Sequence, residues 1–162
     1  MKKKYWILIL TILPILLFDQ GSKKVIREKV MINHSITIIE GYFNIVHIEN
    51  PGAVFGFLSD KDKKVKNIFL FISIFAILFI IYLFLKIQEK NALLPFCLSL
   101  VLGGAAGNLI DRIRFGMVTD FLDFHWHNHH WPAFNIADSA ITIGMIMLIL
   151  YMLEEEIKRR KD

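Results

Sequence analysis

The chain has a single cysteine, Cys97, so no disulfide can close within it and no cluster of cysteines can hold a metal. Cys97 lies in an apolar run and reads as a small packing residue. There is no H-E-x-x-H arrangement, no repeat of fixed period, and no small-x-small site after the first apolar run to mark a cleaved leader. Ionisable residues are nearly missing from the middles of the long apolar runs. What remains is oil: 55% of the 162 residues are hydrophobic and the mean hydropathy is +0.50, too apolar for an ordinary water-soluble domain. The chain therefore reads as a membrane protein. Its net charge of +4 does not point to nucleic acid, because Lys and Arg collect beside apolar runs, where they anchor helix ends among lipid headgroups.

Four segments approach the ~20 residues that a helix needs to cross a hydrocarbon core. They cover roughly residues 5–24, 67–86, 92–110 and 134–153 of one integral membrane domain, 1–162. The first follows a basic start and is expected to stay uncleaved, since Asp19-Gln20 stands where a cleavage site would. Four spans place both termini on one side. They also bring the end of span 1, the end of span 3 and the start of span 4 to a common face, gathering Asp19, Asn108, Asp111, Arg112, Asn135 and Asp138 there. The positive-inside count does not decide the orientation, because nine of the nineteen Lys and Arg fall on the side of the termini. Basic clusters at Lys2–Lys4 and Lys158–Lys161 hug their spans and favour cytoplasmic termini.

Residues 35–56, SITIIEGYFNIVHIENPGAVFG, alternate polar and apolar side chains with many β-branched and aromatic ones, so short strands are expected, followed by a turn at Asn50-Pro51-Gly52. A small sheet and loop over roughly 33–66 would lie on the polar end of the bundle. Its last part, FLSDKDKKVKN, reads as an amphipathic or solvated interfacial approach to span 2. Val118-Thr119-Asp120-Phe121 reads as a loop turning back against lipid.

A carboxylate beside lipid is expensive, so acids at the span ends need a reason. Asp111, Asp120, Asp123 and Asp138 compete for a catalytic role. Two of them facing each other in a poor dielectric would share a proton, one serving as base to a water and the other polarising a carbonyl. Asn135 and Asp138 are three apart, which also suits simple helix capping. Asn108 and Arg112, four apart, present an amide and a guanidinium on one face, or close the helix end through a salt bridge. Gly103 and Gly107 are spaced for close helix packing. His125, His127, His129 and His130, with Asp120 or Asp123, offer a rival in which zinc activates water. A small proton or ion conductor is the non-enzymatic rival, but it needs polar groups spread through membrane depth. Ser22-Lys23 is no dyad, since adjacent helical residues point apart.

Five segments together resemble the bacterial lipoprotein signal peptidases, or signal peptidase II. Residues 19–23 are similar to that family's D-Q-x-S/T-K, 50–56 to N-x-G-A-x-F/W-G/S, 103–112 to G-G-A-x-G-N-x-x-D-R, 118–121 to V-x-D-F and 134–138 to F-N-x-A-D. Val54 and Thr119 depart slightly from the family's usual choices, and the histidine run matches none of its motifs. The resemblance implies a mainly α membrane protein of four transmembrane helices with a small extracytoplasmic β-sheet and an interfacial segment. It implies an aspartic endopeptidase of the bacterial cytoplasmic membrane, with cytoplasmic termini and a site near the outer face. Asp120 and Asp138 map onto the catalytic pair, Asn50, Asn108, Arg112 and Asn135 onto substrate-binding positions, and Asp19, Lys23, Gly52, Gly104 and Gly107 onto supporting ones. The implied substrate is a prolipoprotein carrying diacylglycerol on its lipobox cysteine, cut just before that cysteine. Membrane lipids and globomycin-type inhibitors are the other implied partners. No cofactor, metal or nucleic acid is expected, and the chain is expected to be a monomer.

Overall fold

The computed structural model describes residues 2–52, 63–88 and 91–161. In chain order these form α1 (Lys3–Lys29), β1 (Ser35–Ile39), β2 (Phe43–Asn50), α2 (Lys63–Lys86), α3 (Leu93–Phe115), β3 (Val118–Trp126), β4 (His129–His130) and α4 (Ile136–Arg159). All four helices are long and apolar enough to cross a membrane. The interfacial approach expected before span 2 falls mostly on residues 53–62, outside the described residues, as does the Ala53–Gly56 part of its motif.

Helix α1 runs five residues beyond the expected span and reaches about 40 Å, longer than the hydrocarbon is thick. Its extra turns exist because one face stays covered: Asp19, Lys23 and Ile26 are buried, and Ile26 packs with Val30 and Phe121 beneath the sheet. At the opposite end, buried Lys4 donates from Nζ to the carbonyls of Phe84 (3.3 Å), Leu85 (3.1 Å) and Ile87 (3.1 Å). The lysine thereby caps the C-terminal end of α2, where the last carbonyls run out of intrahelical donors. Much of α2 is apolar and outward-facing, including Phe71, Phe75, Leu78 and Phe79, as suits a helix bathed in lipid.

Helix α3 is the most enclosed, and small residues make it so. A Cβ on Gly104 would collide with the carbonyl oxygen of Ala137 in α4, and one on Gly107 would come within 2.7 Å of Asp19 Oδ2 in α1. The backbones therefore meet only because both positions lack a side chain. Gly116, with φ +75°, turns the chain from α3 into β3.

The sheet is antiparallel with order β1-β2-β3-β4. The expected segment supplies β1 and β2, but the longest strand is β3, read from sequence only as a loop. Its signal was present: V-T-D-F-L-D-F-H-W largely alternates and is rich in β-branched and aromatic residues. Pairing of β3 with β2 sets Asp120 opposite Ile48 and Val118 opposite Asn50, hanging the sheet directly over the ends of α1 and α3.

The glycine geometry gives a paired expectation. Gly104→Ala should lower stability by about 1–3 kcal/mol through forced separation of α3 from α4. Gly21→Ala, with nothing within 4 Å of the added carbon, should be neutral or stabilise α1 by up to ~1 kcal/mol. Thermal unfolding in detergent distinguishes them; equal effects would contradict the packing described.

Candidate active site

Helix α4 begins with a capping box. Asn135 accepts the Asp138 N–H at 2.9 Å through Oδ1, and Asp138 Oδ2 accepts the Asn135 N–H at 3.2 Å. The capping role that the sequence offered as an alternative is therefore real, and it does not exhaust either side chain. Asn135 Nδ2 also donates to Asp120 Oδ1 at 2.7 Å, and Asn108 Nδ2 donates to Asp138 Oδ1 at 2.7 Å. One residue thus touches both carboxyl groups, with its amide side chain on Asp120 and its backbone on Asp138. The second oxygen of Asp120 accepts from Asn50 Nδ2 at 2.9 Å, and Asn50 Oδ1 in turn accepts the Gly52 N–H at 2.8 Å.

Behind the two acids lies a fully buried ionic layer. Lys23 Nζ sits 2.9 Å from Asp19 and 3.0 Å from Asp111, and donates to Asn108 Oδ1 at 3.0 Å. Asp19 also accepts the Ala137 N–H at 2.9 Å, tying α1 to the first turn of α4. Gln20 Nε2 reaches Asp19 (3.0 Å), Asp111 (3.2 Å) and the Gly107 carbonyl (3.1 Å), a set of bonds its place in the motif did not reveal. Arg27 of α1, unmarked in the sequence, donates to Thr119 Oγ1 at 2.9 Å and lies 3.5 Å from Asp111. Every charge in this layer has a partner of opposite sign, as burial requires.

The four competing acids are now distinguishable. Asp111 is consumed by Lys23, Arg27 and the Thr119 N–H. Asp123 is held by Asn44 at 2.9 Å and His130 at 2.8 Å on the sheet. Burial raises its pKa, but those two donors together keep it below the ordinary carboxylate range. Asp120 and Asp138 alone among the four line a cavity of about 600 Å³, walled by Asn50, Trp131, Phe134, Ser139, Thr142 and Ile143 among others. Burial, the largest influence, pushes Asp120 up to about 6; the charge of Asp138 adds to this, while Asn50, Asn135 and Lys23 oppose it.

Arg112 makes no salt bridge to an acid among the described residues. Its guanidinium donates to the Asn108 carbonyl at 3.4 Å, and its buried Nε has no partner. Ser22 Oγ donates to the Phe18 and Asp19 carbonyls, away from any dyad with Lys23. The histidines sit on the β3–β4 hairpin. His125 and His130 stack at 4.5 Å, and among the described residues no three His, Cys, Asp or Glu side chains converge as metal ligands. The buried acids gather at one end of the bundle and are not strung through it.

The signal peptidase (SPase) II family matches residues 11–154. The lipoprotein signal peptidase of Geobacter metallireducens is 40% identical over 162 residues, covering 100% of this chain and 99% of that protein. The chain belongs to the signal peptidase II family. Another relative, the lipoprotein signal peptidase of Desulforapulum autotrophicum, is 44% identical over 140 residues, 86% of each chain. A solved bacterial membrane enzyme, obtained by the in meso method at 2.3 Å resolution, superposes with a TM-score of 0.81. It is 36% identical and the match covers 92% of this chain and 88% of that one. As a signal peptidase II the chain is a protease and a multi-pass bacterial membrane protein, and its four-helix, small-sheet architecture agrees with the expectation from sequence.

The Asn50 bond favours the charged form of Asp120, so removing it has a definite sign. Asn50→Ala should move the deprotonation midpoint of Asp120 above its value near 6, followed by carboxyl carbon NMR across a pH series. A midpoint that stays or falls would contradict the assignment of that hydrogen bond.

Proposed function

We propose that this chain is an aspartic endopeptidase that removes the signal peptide of diacylglyceryl-modified prolipoproteins by cutting just before the lipidated cysteine. The observation that carries this reading is the presence of Asp120 and Asp138 on one cavity wall, tied to each other through Asn135. The relatives are called lipoprotein signal peptidases, which supports the substrate class.

The scissile carbonyl would lie between the two carboxyl groups, which hold one proton between them. The ionised acid takes a proton from water as its oxygen bonds to the carbonyl carbon, and the protonated acid gives its proton to the carbonyl oxygen. The resulting gem-diol collapses when the C–N bond breaks. A proton passes to the departing cysteine amine, and the signal peptide leaves with a new carboxyl group. Asn50, Asn108, Arg112 and Asn135 are the groups proposed to hold the substrate backbone; the unpartnered Nε of Arg112 suits an incoming carbonyl.

Substrate would arrive sideways through the membrane. Helix α2 packs along α3 and leaves the cavity face of α4 uncovered among the described residues, so a peptide helix and its acyl chains can slide in from lipid. Cytoplasmic termini would put the cavity at the outer boundary, where a lipobox emerges. Globomycin-type inhibitors would occupy the same cavity.

The test is cleavage by the purified chain of a lipidated and an unlipidated prolipoprotein, with a chelator present throughout. Cleavage of the lipidated form only, reduced at least about a hundredfold by Asp120→Asn and by Asp138→Asn with membrane insertion unchanged, is the expected result. Normal processing by either variant, or loss of activity on chelation, would overturn the reading.

A further inference from the structure

On the flank of the bundle formed by α1 and α3 is a second groove, of about 700 Å³, that shares no residue with the cavity at Asp120 and Asp138. Its lower wall is apolar, formed by Leu13, Leu16 and Leu17. Its rim carries Lys24, Arg27 and Arg114 around Phe115, against a single acid, Glu28. From Leu13 to Lys24 the helix rises about 16 Å, half the thickness of a hydrocarbon core, so the groove runs from mid-membrane to headgroup level.

The rim brings like charges together. Both guanidinium groups approach the same ring, Arg27 at 4.4 Å and Arg114 at 5.3 Å from the centroid of Phe115. Arg27 is committed to Thr119 and Asp111, while Arg114 has no carboxylate within ion-pair distance among the described residues. Lys24 meets Glu28 only at 3.8 Å with both side chains exposed, a pairing worth little in water. Two adjacent cations over an acyl-sized channel call for one anion attached to hydrocarbon.

We infer that this groove binds an anionic glycerophospholipid, its phosphodiester between Lys24 and Arg114 and one acyl chain along Leu13, Leu16 and Leu17. The diacylglyceryl group of a lipoprotein has no phosphate to answer the cationic rim, so the groove is fitted to a membrane phospholipid and not to substrate. Bound there, the headgroup lies beside Arg27, whose bond to Thr119 holds the strand position next to Asp120. The inference stands on groove chemistry alone and does not depend on the proposed peptidase mechanism.

Native mass spectrometry of the full chain in detergent, offered dioleoyl-phosphatidylglycerol and dioleoyl-phosphatidylcholine at equal concentration, tests it. The first phosphatidylglycerol should be retained about 25-fold over phosphatidylcholine, since each of the two basic groups, Lys24 and Arg114, contributes roughly a fivefold factor near a lipid surface. The double variant Lys24→Gln/Arg114→Gln should lose that preference. Lys158→Gln/Arg160→Gln, at the far end of α4, should keep it, and millimolar inorganic phosphate should not displace the lipid. Equal retention of both lipids, a preference that survives in the groove variant, one lost equally in the α4 variant, or displacement by phosphate alone would each overturn the inference. Should the groove variant fail to fold, a phosphatidylglycerol carrying a photoreactive acyl chain settles the matter on the unaltered protein. Adducts on Leu13, Leu16 or Leu17 are expected, and adducts confined to α2 or α4 would contradict it.

Discussion

Asn135 donates from its side chain to one carboxyl group and from its backbone to another, and the arrangement of the polar end of the bundle depends on that double contact. Asp120 belongs to a strand and Asp138 to a helix, and nothing in the local structure of either requires them to meet. The capping box fixes Asp138 within the first turn of α4, and the bridge at Leu122–Phe134 holds β3 alongside the residues that lead into that turn. Asn135 then spans the remaining gap. It is fully buried, so each of its bonds forms without competition from water and each would be costly to leave unmade.

Beneath this sits Lys23, with an acid on either side and the Asn108 carbonyl oxygen as its third acceptor. Asn108 passes the constraint upward, since its Oδ1 accepts a hydrogen bond from the lysine ammonium and its Nδ2 is left to donate to Asp138. The layer therefore sets which way the Asn108 amide faces, and with it the donor that Asp138 Oδ1 meets. Breaking such a buried set by removing one partner costs on the order of 3–5 kcal/mol, because the remaining charges are stranded. Gly104 and Gly107 are the geometric counterpart: without their bare backbones, α1, α3 and α4 could not come near enough for these short bonds.

Much of this was legible in the residues. Apolar length marks the four helices, and alternation of direction alone brings Asp19, Asn108, Asp111, Asn135 and Asp138 to one end. The spacing Asn135 to Asp138 announced a cap. What spacing alone left open was which acid faces which, because that depends on register between elements far apart in sequence. The strand β3 is harder to see, since a polar residue between apolar neighbours suits a loop against lipid, although the same alternation fits a sheet lying on the bundle. The roles of Gln20 and Arg27 are hidden for a different reason. A polar residue at the end of an amphipathic span usually meets water, and only tertiary packing turned these two inward. Of the histidine run, His130 is held by Asp123, and His125 by Asn44 and the His127 carbonyl.

The central claim is that two carboxyl groups from separate elements act on one peptide bond of a bound substrate. An experimental structure of the chain with a lipopeptide whose scissile amide is replaced by a hydroxyl-bearing carbon measures this directly. The account predicts that the hydroxyl lies about 2.6–3.2 Å from an oxygen of both Asp120 and Asp138, with the acyl chains between α2 and α4. A hydroxyl bonded to only one of them, or a lipopeptide bound away from Asn135, would contradict it.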